Sequence, residues 1–263
     1  MKKRFLSIII AGFCLVGFTG CTEKRDSSSS YRPADNEVTE TFDDTSRVYD
    51  ELMRVNEKFA ARNSYKTVTE GKIVASLGYE QEIKSVLTYS DGVWFSDYSS
   101  ISALVKLYHK AYLSGKSTVY KHSDEKSKTA PVADYRTEFG VAPGDGVLGG
   151  YELKKEYVSS ALYTKYGSGA TEIRVVIDGE RAATQMKIQM KKFGCLKELP
   201  VFSELSFVVY CENGEDISAY STQAKYDIKK EIVLLGVCKM TCDMNISTDV
   251  SDFDGELFFP SEI

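Results

Sequence analysis

Helical periodicity marks three segments of the chain. In residues 43–63, apolar side chains recur at three- and four-residue spacing, and polar side chains occupy the positions between them. This spacing places the apolar residues on one face of an amphipathic helix, and the Asp, Thr and Ser at 44–46 offer an N-cap. The same spacing predicts two further helices, over 101–113 and 151–167.

Most of the remaining sequence alternates apolar and polar residues with a period of two, which is typical of half-buried strands. The alternation runs through 64–78 and 79–90, and an Asp-Gly pair at 91–92 is a strong hairpin signal. From 171 onward nearly all of the chain is predicted to be antiparallel strand, ending with a strand at 255–260. The glycine-rich stretch 123–150 is predicted to be a long irregular loop. The pattern therefore predicts an α+β fold, with one face of an antiparallel sheet buried under two to three helices.

The N-terminal segment has the pattern of an export signal. Three basic residues precede an apolar run at 5–18, which is too short to span a membrane. Residues 19–21, Thr-Gly-Cys, resemble the lipobox of bacterial lipoproteins, with Phe18 where leucine is usual. The resemblance implies cleavage of a signal peptide at 1–20, a diacylglyceryl thioether on Cys21, and anchoring at the extracytoplasmic face of the cell membrane. The alternative is an ordinary cleaved signal followed by a chance cysteine.

Residues 21–42 contain almost no large apolar side chain and are rich in Ser, Thr and charge. Such a composition cannot bury a core, so we expect a flexible polar tether between the lipidated cysteine and a single domain at 43–263. Without residues 1–20, 30 basic residues stand against 38 acidic ones, a net charge of −8. Nucleic-acid binding usually requires a basic surface, so this class of partner is excluded, and the sequence identifies no protein partner.

Four cysteines remain beyond the lipidation site: Cys195, Cys211, Cys238 and Cys242. An even number in an exported domain suggests disulfides, and the three ways of pairing four cysteines stay open. On an extended strand Cys238 and Cys242 would lie about 13 Å apart, too far to bridge each other unless the strand bulges. Buried thiols are the alternative, and a zinc site is disfavoured because C-x₃-C on a strand is a poor ligand cluster.

No motif in the sequence has the signature of a catalytic, metal or cofactor site. SGKST at 114–118 lacks the first glycine of a phosphate-binding loop, and DVSDFDGE at 249–256 lacks the first and last ligands of a calcium loop. The chain has two histidines, His109 and His122. We expect His109 on a helix away from its apolar stripe and His122 beside a charged loop, with no nucleophile placed near either. We therefore predict no catalytic residue, no metal and no cofactor.

The order of the elements suggests a family. An exported lipoprotein sequence opens with a helix at 45–61, continues with a strand that starts at the Ser-Tyr pair 64–65, forms antiparallel strands joined by Asp-Gly hairpins, and closes on Phe-Phe-Pro at 258–260. It resembles the envelope lipoprotein-carrier and glycolipid-carrier superfamily and its Gram-positive lipoprotein relatives. The resemblance implies a curved antiparallel sheet or half-open β-barrel, with two to three helices covering the concave face. Some members carry acyl chains in that concavity.

The expected function is that of a non-enzymatic lipoprotein that binds a lipid-like or other hydrophobic ligand in the sheet concavity. The candidate lining residues are Ile83, Leu87, Met186, Ile188, Met190, Leu205 and Phe207. Their alternative role is to pack against the helices and leave no cavity. The alternative function is a surface interaction or adhesion protein without a small ligand, which would touch its partner through 123–150 or a sheet edge. An envelope hydrolase is disfavoured because no acid–base constellation is present.

Overall fold

The computed structural model describes residues 37–76, 78–102, 106–122, 126–139, 145–148, 153–180, 198–232, 236–258 and 263. The strands within them are β1 (Val38–Phe42), β2 (Ser64–Ala75), β3 (Tyr79–Ser90), β4 (Val93–Ser102), β5 (Lys106–Ser114), β6 (Ser117–His122), β7 (Lys128–Pro131), β8 (Val158–Tyr166), β9 (Thr171–Ile177), β10 (Val201–Cys211), β11 (Ile217–Ile232) and β12 (Gly236–Ser251). The helices are α1 (Thr45–Ala60) and α2 (Val132–Phe139), with short 3₁₀ helices at Gly146–Leu148 and Lys155–Tyr157.

The described strands form one antiparallel sheet in the order β1-β8-β9-β10-β11-β12-β2-β3-β4-β5-β6-β7. Within the described residues β1 and β7 are its two edges, so the sheet does not close on itself. Most neighbours in this order are also neighbours in sequence, as in a meander. The prediction of a mainly antiparallel sheet with a small number of helices is confirmed at this coarse level.

Helix α1 forms where its periodicity predicts it. The side chain of Asp44 accepts a hydrogen bond of 2.7 Å from the backbone N–H of Arg47, which satisfies one of the donors that a helix start leaves open. The buried stripe of the helix consists of Val48, Leu52, Val55, Asn56 and Phe59. This stripe packs against β8, β9 and the 3₁₀ helix Gly146–Leu148.

The hairpin between β3 and β4 follows directly from its sequence. Asp91 and Gly92 both have positive φ angles, 47° and 85°, as a two-residue type I′ turn requires. Such a turn fixes the register, so Tyr89 pairs with Trp94 and Leu87 pairs with Ser96. The hairpin therefore determines which side chains of β3 and β4 share a face.

One face of the sheet carries the hydrophobic core, and we call it the core face. Directly opposed residues on neighbouring antiparallel strands point to the same side, so the register identifies rows across this face. One row runs Thr248, Thr69, Ser85, Tyr98, His109 and His122 from β12 to β6. A parallel row starts at Tyr65 and continues through Tyr89, Trp94, Leu113 and Thr118. The core-face residues of the described strands are largely buried, and both α1 and α2 lie on this side.

Two of the predicted helices are wrong. Residues 101–113 form the end of β4 and most of β5, and residues 151–167 include a 3₁₀ turn and β8. In β5 the buried residues are His109, Ala111 and Leu113, which alternate as a strand requires. Short apolar runs fit both spacings, and pairing with β4 and β6 overrides the local helical pattern.

Three other boundaries also differ from the prediction. The stretch 123–150 contains strand β7, helix α2 and a 3₁₀ helix, so it is not an irregular loop throughout. Strand β1 pairs with β8, so residues 38–42 belong to the sheet and the predicted tether is too long by at least that strand. The described residues 255–258 are not a strand.

Candidate functional site

The two histidines of the chain are direct neighbours on the core face. His109 on β5 pairs with His122 on β6, and Tyr98 on β4 pairs with His109 from the other side. The sequence prediction separated these residues, because it placed His109 on a helix. The alternation of buried residues in β5 brings them together instead.

Helix α2 completes an aromatic cluster over the histidines. The rings involved are those of Trp94, Tyr98, His109, Tyr120, His122 and Tyr135, which we call the aromatic cluster. Tyr135 lies between the others: its ring centre is 5.5 Å from Tyr120, 5.8 Å from His109 and 6.1 Å from Trp94. The Trp94–Tyr135 contact is edge-to-face, with an interplanar angle of 82°. Such packing adds specificity to burial, because the edge of one ring is drawn to the face of another.

A line of hydrogen bonds crosses the cluster. Nε2 of His109 lies 2.9 Å from Oη of Tyr135, and Nδ1 of His109 lies 3.4 Å from Nδ1 of His122. A neutral imidazole has one donor and one acceptor nitrogen, so either the Tyr135 hydroxyl donates to His109 or His109 donates to it. Both directions give a continuous line from α2 to β6. The contact therefore fixes α2 on the sheet.

The cluster keeps His109 uncharged. Burial, and to a smaller extent the neighbouring His122, lower the pKa of His109 from 6.5 to about 3. His109 is only 1% exposed, so protonation would place a positive charge away from water and beside a second imidazole. At neutral pH His109 therefore acts as a hydrogen-bonding group and not as a cation.

Two polar atoms near the cluster are buried without a hydrogen-bond partner. Among the described residues none accepts from the indole Nε1 of Trp94, and none pairs with Oγ1 of Thr118. Both side chains lie on the same row of the core face, with Leu113 between them. A buried polar group without a partner costs about 1–3 kcal/mol, so two of them on one row are a feature that needs an explanation.

The core face next to Trp94 carries small side chains. The small residues there are Thr67, Thr69, Gly71, Ser85, Ser96, Ser100, Ala111 and Thr248. All of them are buried. A sheet packed only by helices normally presents large apolar side chains, as β9 and β10 do here with Ile173, Val175 and Phe207. Helix α1 packs mainly on β8 and β9, and its Phe59 also contacts Tyr65 on β2, with 4.7 Å between the ring centres. We call the small residues on β2 to β5 and β12 the small-residue strip.

The chain between β7 and β8 links opposite ends of the strand order, because β7 is one edge and β8 is second from the other edge. Its described parts are residues 132–139, 145–148 and 153–157, which we call the crossover segment. Their side chains Tyr135, Val147, Leu148 and Leu153 belong to the same hydrophobic core as α1.

The crossover segment is held at two places besides Tyr135. Oδ1 of Asn56 on α1 accepts hydrogen bonds from the backbone N–H groups of Val147 and Leu148, at 2.8 and 3.4 Å. Gly146 has a φ of +69°, and a Cβ at this position would overlap the Asn56 side chain. Further along, the hydroxyl of Tyr49 donates to the carbonyl oxygen of Leu153 at 2.9 Å. These contacts join the segment to α1, while Tyr135 joins it to β5.

A polar pocket of about 630 Å³ lies elsewhere, beside the turn between β10 and β11. Arg62, Ser64, Asp216 and Asp252 are among its lining residues. At this turn Lys58 of α1 pairs with Glu215 at 2.7 Å and with Asp216 at 3.1 Å. The hydrogen bond to Lys58 lowers the pKa of the Glu215 carboxyl. The pairs are solvent-exposed, so they attach α1 to the turn without forming a dry binding site.

The predicted ligand-lining residues fall into three groups. Ile83, Leu205 and Phe207 are 0–2% exposed and belong to the hydrophobic core, on the core face. Leu87 is half-buried and packs against that core. Met186, Ile188 and Met190 lie outside the described residues, as does the lipidation candidate Cys21.

The structure describes three of the four cysteines that follow the lipidation candidate. Cys211, Cys238 and Cys242 form no disulfide with one another in the described chain, and the pairing of the four cysteines stays a prediction. Cys238 and Cys242 lie on one extended strand, β12, which keeps them apart as the strand geometry requires. Cys195 lies outside the described residues.

Within the described parts of the chain, no group of three or more His, Cys, Asp or Glu side chains is placed to hold a metal ion. Neither described helix is long and apolar enough to cross a membrane. The described core face presents aromatic rings, hydroxyl groups, an indole N–H and two imidazole rings.

Comparison with known proteins assigns no family. No family model and no curated protein sequence matches the chain. A solved structure of a candidate AttH from Nitrosomonas europaea shares 12% identity and a TM-score of 0.24, over 75% of this chain and 55% of that one. An N-terminal dehydratase of the difficidin assembly line shares 10% identity and a TM-score of 0.16, over 85% and 90%. An inactive mutant of the CurJ dehydratase shares 10% identity and a TM-score of 0.14, over 83% and 86%. Similarities this low carry no argument about fold or activity.

Proposed function

We propose that the chain is a non-enzymatic, lipid-anchored extracytoplasmic lipoprotein that binds a hydrophobic ligand between the core face of its sheet and the crossover segment. The observation that supports this most directly is the small-residue strip. Eight small residues are buried on β12, β2, β3, β4 and β5, while α1 packs mainly on β8 and β9. Small residues face one another where Thr69 pairs with Ser85 and Thr248, and where Ser96 pairs with Ala111. Interiors are normally filled to the density of organic crystals, so in our proposal these pairs leave volume for another molecule.

The shape of the proposed site follows from the topology. Strands twist against their neighbours by roughly 20–25°, so a long open sheet curls. In our proposal the twelve strands form a half-open barrel, and the core face is its concave side. The crossover segment belongs to the connection between opposite ends of the strand order, and in this account it covers the mouth of the concavity.

The proposed ligand contacts combine two kinds of residue. Ile83 and Leu87 would border the apolar part of the ligand, since they lie on the core face of β3 between strip residues of β2 and β4. In this proposal Leu205 and Phe207, on the core face of β10, keep the lining role that the sequence predicts. In this proposal the predicted residues Met186, Ile188 and Met190 keep the same lining role. The ligand would make contacts that the small side chains leave unmade. Burial of its apolar area would favour binding.

The alternative of a surface interaction protein required an exposed apolar tip in 123–150. Three described apolar side chains of this stretch, Tyr135, Val147 and Leu148, are instead buried in the core. Burial leaves them unable to form a docking surface. The described part of the crossover segment therefore favours a cover over a partner-binding loop.

The proposal is tested by placing a large side chain in the small-residue strip. Ser96→Phe on the core face of β4 should abolish saturable binding of 1-N-phenylnaphthylamine, a neutral hydrophobic probe, while far-UV circular dichroism and the urea midpoint stay close to wild type. Ser99→Phe is the matched control, because Ser99 lies on the opposite face of the same strand. If the space is already packed, Ser96→Phe should instead destabilise the fold by about 1–3 kcal/mol. That result, or wild-type chain that binds no probe, would contradict the proposal.

A further inference from the structure

We propose that the site selects a ligand whose buried polar end is an uncharged hydrogen-bond acceptor, an ester or amide carbonyl, which Trp94 binds through its indole N–H with help from the Thr118 hydroxyl. The inference rests on the proposed function and adds the chemical class of the ligand. It names long-chain acyl esters or amides, and it excludes free fatty acids and phosphate head groups as the buried group.

The first support is the pair of unsatisfied polar atoms. Trp94 is 3% exposed and Thr118 is 0% exposed, and within the described chain neither Nε1 nor Oγ1 has a hydrogen-bond partner. An indole nitrogen can only donate, so whatever satisfies it must bring an acceptor. Thr118 can donate or accept, and it shares the row of Trp94 two strands away. A bound carbonyl oxygen near this row would remove a cost that the chain alone leaves in place.

The second support is the position of Trp94 next to the small-residue strip. Along β4 the next core-face residue after Trp94 is Ser96. Ser85 on β3 is its diagonal neighbour, and Thr69 on β2 lies directly opposite Ser85. The row of Trp94 therefore adjoins one end of the small-residue strip. An acyl chain placed along the strip would bring its carbonyl end to Trp94.

The third support is the absence of charge from the row. The described core-face residues in it are Tyr65, Tyr89, Trp94, Leu113 and Thr118, all of them neutral. The neighbouring His109 keeps a neutral ring, because burial lowers its pKa to about 3. Lys128 is exposed on the edge strand β7, with its ammonium 6.0 Å from the ring centre of Tyr120. A carboxylate or phosphate buried at Trp94 would lose its hydration without gaining a counter-charge, which costs several kcal/mol.

The experiment uses the single tryptophan as its own reporter. Because the chain has one Trp, a ¹⁵N-labelled sample gives one indole N–H cross-peak. The sample is the mature chain 21–263 carrying Cys21→Ser, at pH 7, titrated separately with methyl dodecanoate, dodecane and dodecanoate. We expect the ester to shift the indole proton downfield, because a hydrogen-bonded proton is deshielded. Dodecane should bind without that shift, and dodecanoate should bind at least tenfold more weakly than the ester.

A variant separates the hydrogen bond from the burial. Trp94→Phe keeps a ring and removes the donor, so the Kd for methyl dodecanoate should rise about 3- to 10-fold while that for dodecane changes much less. Thr118→Val, which removes a hydroxyl at nearly constant volume, should weaken the ester in the same direction.

The outcomes distinguish the two proposals. If none of the three compounds binds the wild-type chain, the proposed function fails. If dodecane and the ester bind equally, with no downfield shift and no selective effect of Trp94→Phe, the proposed function stands and the inference about the carbonyl is wrong. Tighter binding of dodecanoate than of its ester would also overturn the inference.

Discussion

Oη of Tyr135 lies 2.9 Å from Nε2 of His109, and this contact attaches the crossover segment to β5, the third strand from the β7 edge of the sheet. Tyr135 is a buried side chain of the short helix α2, and His109 belongs to β5. The two residues are 26 positions apart in sequence. A single hydrogen bond between buried partners therefore links the cover of the proposed site to its wall.

Removing the hydrogen bond between Tyr135 and His109 should weaken the attachment of the crossover segment to β5. Tyr135→Phe leaves Nε2 of His109 without its partner in a buried position, so we expect a loss of about 1–3 kcal/mol in the free energy of unfolding, measured by urea denaturation. Tyr108→Phe is the control, because Tyr108 is exposed on the other face of β5 and should change stability by less than about 0.5 kcal/mol. Equal stability of the two variants would show that the contact does not hold α2.

The contact between Gly146 and Asn56 predicts a second effect. Gly146→Ala should destabilise the fold and release the crossover segment from α1, because the new Cβ would overlap the Asn56 side chain that holds Val147. Gly169→Ala is a matched control: Gly169 also has positive φ, +87°, but has open space around its Cβ position. The two variants share the cost of the left-handed backbone, so the difference in their thermal midpoints isolates the overlap. Equal thermal midpoints for the two variants would show that Asn56 does not anchor the crossover segment.

The buried imidazole predicts a pH dependence. The pKa of His109 is lowered from 6.5 to about 3 in the folded chain, so between these values the unfolded state binds more protons than the folded state. Stability from this group is therefore complete above pH 6.5 and falls as the pH drops toward 3, with a slope that approaches about 1.4 kcal/mol per pH unit. Urea titrations from pH 6.5 to 5.0 measure the slope above the range in which carboxylates titrate.

The comparison that assigns this slope is His109→Gln, which removes the ionisable ring. Its stability should change much less over the same pH interval, even if it is lower throughout. His122→Gln should keep most of the slope that His109 causes, because burial is the larger cause of the lowered pKa of His109 and His122 the smaller one. A wild-type slope retained in His109→Gln would mean that another group titrates.

Cys211 should be inert in the folded chain. Its thiol is fully buried, and burial raises its pKa to about 11, so almost no thiolate is present at pH 8. Iodoacetamide followed by peptide mass mapping should leave Cys211 unmodified in buffer and fully modified in 8 M urea. Labelling of Cys211 in buffer at the rate of an exposed thiol would contradict its placement at the end of β10.

The proposed anchor depends on one residue. Cys21→Ser should abolish incorporation of labelled palmitate and move the chain from the membrane fraction to the soluble one, since two acyl chains are needed for stable anchoring. Cys14→Ser is the control: it removes a cysteine from the apolar run of the signal and should leave both readouts unchanged. Membrane association and palmitate labelling that persist in Cys21→Ser would exclude the lipobox interpretation.

The sequence predicts the strong local patterns of this fold. Helix α1, the Asp-Gly turn at 91–92 and the long strands β11 and β12 form where period, caps and turn residues agree with one another. Where these local signals agree, the secondary structure that they predict is the one that the folded chain adopts. The coarse class, an antiparallel sheet with few helices, follows from these elements.

The site is not predictable by the same reasoning. In β5 an apolar spacing of three and four hides the alternation of His109, Ala111 and Leu113, and only pairing with neighbouring strands resolves it. The proximity of His109 to Tyr135 depends on where the crossover segment folds back, which no local pattern records. The small residues of the strip each look like ordinary strand positions, because their common feature appears only when the rows of the sheet are aligned.

The central claim is that the chain carries a hydrophobic ligand, and native mass spectrometry of the mature protein purified gently from a bacterial envelope tests it most directly. We predict a reproducible non-covalent added mass that disappears in organic solvent and matches an acyl ester or amide, while the covalent modification of Cys21 remains. A chain that shows no added mass, and that takes up none when such lipids are supplied, would contradict the account.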